Sequence, residues 1–217
     1  MTLTELLANV DLALYGPRTL YRLGQGGFYG NAGAAPAHPG TIVSPKSVLA
    51  SMRRHEPAKF QRYVAAAAQA GIDLDALPDR MPACDCSGFV TWALGLPRAP
   101  SSRATTGWLD TTAIWTDAQG EGTRFEWCSS ALEPRKARIG ALLVYPDDGP
   151  DDGHVGIVTA IDESNDEGTA TQVVHCAPEN YLLPAAPGQR HAILQTSPKQ
   201  LLDHPKTIAV WCVSVFR

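Results

Sequence analysis

Three residues in this sequence have the types and surroundings for thiol chemistry: Cys86, His154 and His175. Cys86 lies in the stretch Cys84-Asp85-Cys86-Ser87-Gly88-Phe89-Val90-Thr91-Trp92-Ala93-Leu94, where Phe89, Val90, Ala93 and Leu94 mark one face of a short helix. Asp85 is an N-cap residue, Gly95 a stop signal, and Pro97 lies just beyond it. Cys86 therefore falls in the first turn, among backbone N–H groups with no partner inside the helix. Those groups and the helix dipole favour a thiolate, which predicts a lowered pKa. Gly88 removes a side chain from the same turn and lets another backbone or a substrate come close. Taken alone, the stretch fits equally well a pair of small buried cysteines.

The histidines supply what a thiol needs. The loop 162–168 joins two strand-like runs, His154–Ile161 and Thr171–Cys176. In an antiparallel hairpin centred near residue 164 or 165, paired residue numbers add to 329 or 330. At 329, His154 lies directly across from His175 on one face, with Cβ atoms about 4.5–5.5 Å apart. At 330 the two point to opposite sides of the sheet, so a working pair requires the odd value. A nucleophilic thiol needs a base within reach, and the base needs a third group that fixes its tautomer. The expected roles are Cys86 as nucleophile, His154 as base and His175 as the orienting member.

The elements that must hold these residues are legible in outline. Thr4 is expected to cap a helix through about Tyr15, with Leu7, Val10 and Leu14 inward and Gly16-Pro17 ending it. The run 21–30 is a glycine-rich loop without the Gly-Lys-Ser/Thr of a phosphate site, suited to presenting Tyr21 or Tyr29. Ser44-Pro45 opens a helix carrying Val48, Leu49 and Met52, and Pro57 opens a second carrying Phe60, Tyr63, Val64, Ala67 and Ala68, ended by Gly71. Arg53, Arg54, His55 and Arg62 give this pair a solvated face, or a wall for a substrate groove. A helical turn or two is expected over 111–118, and Trp108, Trp115 and Trp127 read as core or groove-lining. The second half changes to strands: 125–128, 139–145, 154–161, 171–176, 192–195 and 208–216. Helices first and antiparallel strands after predict one α+β domain over 1–217, with a sheet of about five or six strands and an inserted helical pair at about 44–72.

Composition narrows the function classes. With 44% hydrophobic and 18% charged residues and a net charge of −4, nothing points to nucleic acid or an anionic membrane as partner. No run reaches the length of a membrane-spanning helix. The N-terminus, interrupted by Glu5 and Asp11, does not read as a secretory signal, which is compatible with a cytoplasmic protein or with export by another route. Five cysteines without a framework-like spacing disfavour a disulfide scaffold.

Together these residues resemble the NlpC-type cell-wall cysteine peptidases, a branch of the papain-like fold. The shared pieces are Asp85-Cys86-Ser87-Gly88-Phe89-Val90, the run 140–145 leading to His154-Val155-Gly156-Ile157-Val158, Val174-His175, and the segment 21–27, which is similar to the family's Tyr-x-x-Gly-Gly. The resemblance implies Cys86, His154 and His175 as the catalytic set. It also implies Tyr21 as a group that helps position the oxyanion beside the backbone N–H of Cys86, with Asp85 and Ser87 in the oxyanion and substrate region. The sequence departs from the pattern in the long stretch between Tyr21 and Cys86, and in Gly140-Ala141 where Gly-Asp is common.

The implied reaction is hydrolysis of an amide in a peptidoglycan stem peptide, of the γ-D-glutamyl–diamino acid type, through a thioester on Cys86. No cofactor or metal is called for. The acidic loop with Asp147, Asp148, Asp151 and Asp152 precedes His154 and is placed to meet a substrate amine or simply to be solvated. An amidase or acyltransferase using the same Cys-His site on a non-wall substrate is the alternative. Zinc binding by Cys84, Cys86, His154 and His175 fits poorly, because Cys-x-Cys departs from the usual zinc spacing. A non-catalytic binding domain of the same fold is disfavoured by the complete set.

Overall fold

The computed structural model describes residues 1–27, 36–69, 71–98, 109–120, 124–129, 132–149, 152–162, 167–182 and 192–215. Tyr29, Trp108 and Asp151 lie outside the described residues, as do the polar run 101–107 and residues 163–166 of the hairpin loop.

Helix α1 (Leu3–Tyr15) opens on Thr2, two residues before the expected cap. Glu5 N donates to Thr2 Oγ1 at 3.2 Å while Thr2 N donates to Glu5 Oε2 at 2.7 Å, a reciprocal box that Thr4 cannot form because Leu7 stands three residues on. The buried residues are Leu6, Val10 and Ala13, with Leu14 partly buried against the same core, while the expected Leu7 is only half-buried. Strands β1 (Leu20–Tyr21), β2 (Thr41–Val43) and β3 (Met81–Cys84) form a small sheet in the order β1-β3-β2. It carries no sequence signature: its strands are two to four residues long, and Pro82 sits inside one of them. Between β2 and β3 lie α2 (Pro45–His55), capped by Ser44 with proline in its first turn, and α3 (Pro57–Gln69). This is the expected helical pair.

Helix α4 (Cys86–Ala93) follows β3 directly and is buried along its whole length. After α5 (Thr111–Gln119) come β4 (Phe125–Trp127), β5 (Lys136–Ala137), β6 (Leu142–Tyr145), β7 (His154–Ile161) and β8 (Gly168–Cys176). A 3-10 turn over Pro178–Leu182 leads to β9 (Ile193–Thr196), α6 (Lys199–Leu202) and β10 (Ile208–Cys212). The seven strands from β4 onward form one curled sheet in the order β4-β10-β6-β7-β8-β5, with β9 also on β8, and every pairing is antiparallel. The strand expected from residue 139 begins instead at Leu142. Gly140 takes φ 87° and Ala141 N donates to Arg138 O at 3.0 Å, so the chain turns there. One face of β7 and β8 (Val155, Ile157, Val174, Cys176) shares a core with Phe89 and Val90 of α4; the other (Val158, Val173) packs with Leu201 of α6.

The hairpin register corrects the expectation of direct opposition. Gly156 pairs with His175 and Ile161 with Ala170, so paired numbers add to 331 at both ends. That is two residues away from 329 but keeps its parity, and His154 and His175 share a face as diagonal rather than facing neighbours. Between these ends the register slips by one at Thr159 and slips back at Thr171. An unpaired residue in each strand compensates for the other, and the parity at the histidines survives.

Candidate active site

The Cys86 corner is built around one buried ion pair. Asp85 caps α4 by accepting from Gly88 N at 2.6 Å, and its other oxygen accepts from Gly24 N, also at 2.6 Å. Arg98 grips the same carboxylate with both terminal nitrogens at 2.9 Å and donates to Ser87 Oγ at 3.0 Å and Gln25 O at 3.0 Å. Asp85 and Ser87, expected in the oxyanion and substrate region, are therefore residues 1% and 3% exposed, with their side chains engaged within the protein. The close approach expected at Gly88 is made by protein groups: a Cβ there would stand 2.4 Å from Gln25 O and 2.6 Å from Arg98 Nη1. Arg98 was not singled out from the sequence. The only hint is an arginine following the apolar end of a helix, with no local spacing to link it to Asp85.

The glycine-rich loop explains how Tyr21 reaches this corner across the helical pair. Tyr21 pairs with Cys84 in the parallel β1–β3 ladder, and Arg22 N donates to Cys84 O at 2.9 Å. Gly26 has φ 83°, and any side chain there would meet Cys84 Sγ at 2.4 Å. Burial, followed by the proximity of Cys86 and Asp85, holds the Tyr21 hydroxyl well above the usual phenol range, so it remains a donor. Cys84 is buried, its thiol donating to Asp85 O at 3.2 Å, in the structural position expected for it.

Cys86 is 4% exposed, and its thiol donates to Gly153 O at 3.9 Å, next in sequence to His154. Burial and then Asp85 push this thiol up, while Arg98 and the N–H groups of Ser87 and Val155 act in the opposite direction. The lowered pKa expected from the first-turn position is thus corrected, because desolvation outweighs the helix terminus. No hydrogen bond joins the sulfur to the His154 ring among the described residues. His154 lines a cavity of about 250 Å³ with Tyr21, Met52, Lys59, Tyr63 and Tyr145. Cys86 lines a smaller one of about 60 Å³, and Leu23, Asp152 and Gly153 border both.

The two histidines are joined directly. His154 Nε2 and His175 Nδ1 are 2.7 Å apart, with the rings at 82°. Their diagonal placement leaves Gly156 opposite His175, where a Cβ would come within 3.1 Å of the His175 Cβ. Burial and then His175 pull His154 down to about 3, and burial pulls His175 down to about 4. Both are neutral at neutral pH. His175 Nε2 lies 2.9 Å from Thr196 Oγ1, a contact absent from the sequence reading because β9 is twenty-one residues further along and carries no motif.

The helical pair walls the larger cavity through Met52, Glu56, Lys59, Arg62 and Tyr63. Lys59 of α3 pairs with Asp152 at 3.3 Å and Arg22 with Glu56, the C-cap of α2, at 3.0 Å, tying the pair to the site. Asp148 pairs with Lys206 at 3.0 Å. Asp148 and Asp152, two of the four acidic-loop residues read as meeting a substrate amine or as simply solvated, are thus paired within the protein.

Residues 77–176 match the model of the CHAP domain, a family related to the NlpC and papain-like peptidases. The matched stretch runs from just before β3 to the end of β8 and includes Cys86, His154 and His175; Tyr21, the helical pair and Thr196 lie outside it. CHAP domains are typically amidases or peptidases that hydrolyse peptidoglycan, so at that coarse level the match supports a cell-wall hydrolase. No curated protein and no solved structure matches the chain significantly.

Proposed function

We propose that the protein is a cysteine hydrolase that cleaves amide bonds in peptidoglycan stem peptides, with Cys86 as nucleophile, His154 as base and His175 as orienting group. One observation carries this reading: a buried, directly bonded His154–His175 pair adjoins a cysteine in the first turn of a helix. Both thiol and imidazole are neutral in the free protein, so the proton leaves sulfur for His154 as the thiol attacks. The sulfur leaves Gly153 O, a long contact for a thiol donor, to do so. The S–C bond forms, and oxygen charge builds toward the backbone N–H of Cys86 and the Tyr21 hydroxyl. His154 then passes the proton to the departing amine as the C–N bond breaks. Water hydrolyses the thioester, with His154 taking its proton and returning it to sulfur.

Within this reading the substrate is the γ-D-glutamyl–diamino acid bond that the resemblance implies, seated along the cavity walled by α2 and α3. The test is incubation of wild type and Cys86→Ala with purified peptidoglycan and with free stem peptides, followed by product masses. Products larger by one water in total, with a new amine and carboxylate, and absent with Cys86→Ala, are expected. Wild type and Cys86→Ala giving the same outcome on both substrates would end the proposal.

A further inference from the structure

His154, His175 and Thr196 stand on three successive strands, β7, β8 and β9, on the same sheet face. His175 pairs with Gly156 and with Leu194, so His154 lies diagonally on one side of it and Thr196 diagonally on the other. The hydrogen bonds follow this line: His154 Nε2 to His175 Nδ1 at 2.7 Å, His175 Nε2 to Thr196 Oγ1 at 2.9 Å, and Thr196 Oγ1 to Ser197 O at 3.1 Å.

The last contact breaks the symmetry of the chain. A carbonyl only accepts, and a threonine hydroxyl has one proton. Donated to Ser197 O, that proton leaves Thr196 Oγ1 to accept from His175 Nε2–H. A neutral His175 protonated on Nε2 has its lone pair on Nδ1, so His154 must donate from Nε2. The His154 Nδ1 lone pair is then free, and among the described residues it has no hydrogen-bond partner. The reversed chain would have Thr196 donate to His175 Nε2 and His175 Nδ1–H donate to His154. His154 would then carry its proton on Nδ1, with its only lone pair spent on His175, and could not act as a base.

We propose that Thr196 is a positioning residue that sets the tautomer of the His154–His175 pair, holding the His154 Nδ1 lone pair free by donating its own proton to Ser197 O. Its catalytic consequence rests on the hydrolase reading above; the tautomer itself does not. Thr196 lies outside the matched residues 77–176. The hydroxyl reaches the site because β9 is laid against β8, not because of its place in the sequence.

The test is nitrogen-15 NMR of the histidine rings in the full chain, assigned with His175→Asn, for wild type, Thr196→Val and Thr196→Ser. Both rings are expected as Nε2–H in wild type and Thr196→Ser. Thr196→Val, which cannot accept, should lose that pattern at His175 and His154. With a cleavable stem peptide, kcat should fall about tenfold in Thr196→Val with KM little changed, and Thr196→Ser should recover it. His154 protonated on Nδ1 in wild type, or a pattern unmoved by Thr196→Val, would overturn the proposal. Should Thr196→Val fail to fold, the wild-type and Thr196→Ser spectra still decide. The expected spectra in a protein that cleaves no wall substrate would count against the hydrolase and leave the tautomer assignment standing.

Discussion

Arg98→Met should be the most destabilising conservative change near the nucleophile. The Arg98 and Asp85 side chains are each 2% exposed, and the guanidinium holds both carboxylate oxygens at 2.9 Å. Methionine fills much of the same volume but strands a buried carboxylate and removes the donors to Ser87 Oγ and Gln25 O. Breaking a buried pair by deleting one partner costs about 3–5 kcal/mol. With a urea slope of about 2 kcal/mol per M, the midpoint should drop by about 2 M. The partner change separates this from lost packing. In Asp85→Asn/Arg98→Met no buried charge remains, and asparagine still caps α4, so the double variant should regain at least half of the loss. Urea unfolding followed by tryptophan fluorescence measures Arg98→Met, Asp85→Asn and the double variant. A single-variant loss below about 1 kcal/mol, or a double variant as unstable as the two changes summed, would refute the claim that charge compensation organises this corner.

Two further changes probe the same architecture. The histidine pair should make the fold acid-sensitive: both groups are lowered in the folded state, so stability is full above their unfolded value near 6.5 and is lost as pH falls toward about 4 and about 3. At pH 5 this amounts to about 2 kcal/mol per histidine. Denaturant titrations at pH 7 and pH 5 should show the loss reduced by about that amount in His175→Asn, and an unchanged pH slope would show that His175 is not held neutral by burial. Gly88→Ala should cost about 2–3 kcal/mol, because the new methyl would meet Gln25 O at 2.4 Å and Arg98 Nη1 at 2.6 Å; a thermal midpoint equal to wild type would mean the glycine loop yields freely.

The site was legible where local rules act and illegible where a partner comes from afar. The Asp85 cap and the first-turn place of Cys86 follow from helix chemistry within a few residues, and both are found as expected. The shared face of His154 and His175 follows from strand parity and survives a register that differs by two residues. Their spacing did not follow, because how far the two strands run past each other is set by the pairing of whole strands and not by the residues beside each histidine. The charge state of Cys86 was misjudged for a related reason: the helix terminus is a local property, while desolvation depends on everything packed around the sulfur.

Sequence alone was therefore enough to identify Cys86, His154 and His175 as one candidate set and to place them on a helix start and a hairpin. Residue type, capping and period are encoded within short windows. Only the tertiary structure decided what surrounds them: Arg98 clamping Asp85, Tyr21 brought beside Cys84 by a parallel pairing across the helical insertion, and Thr196 completing the line from His154. Each of these is a contact between elements whose approach is set by the whole core. No short pattern in the chain records which side chains such packing will bring within hydrogen-bond distance.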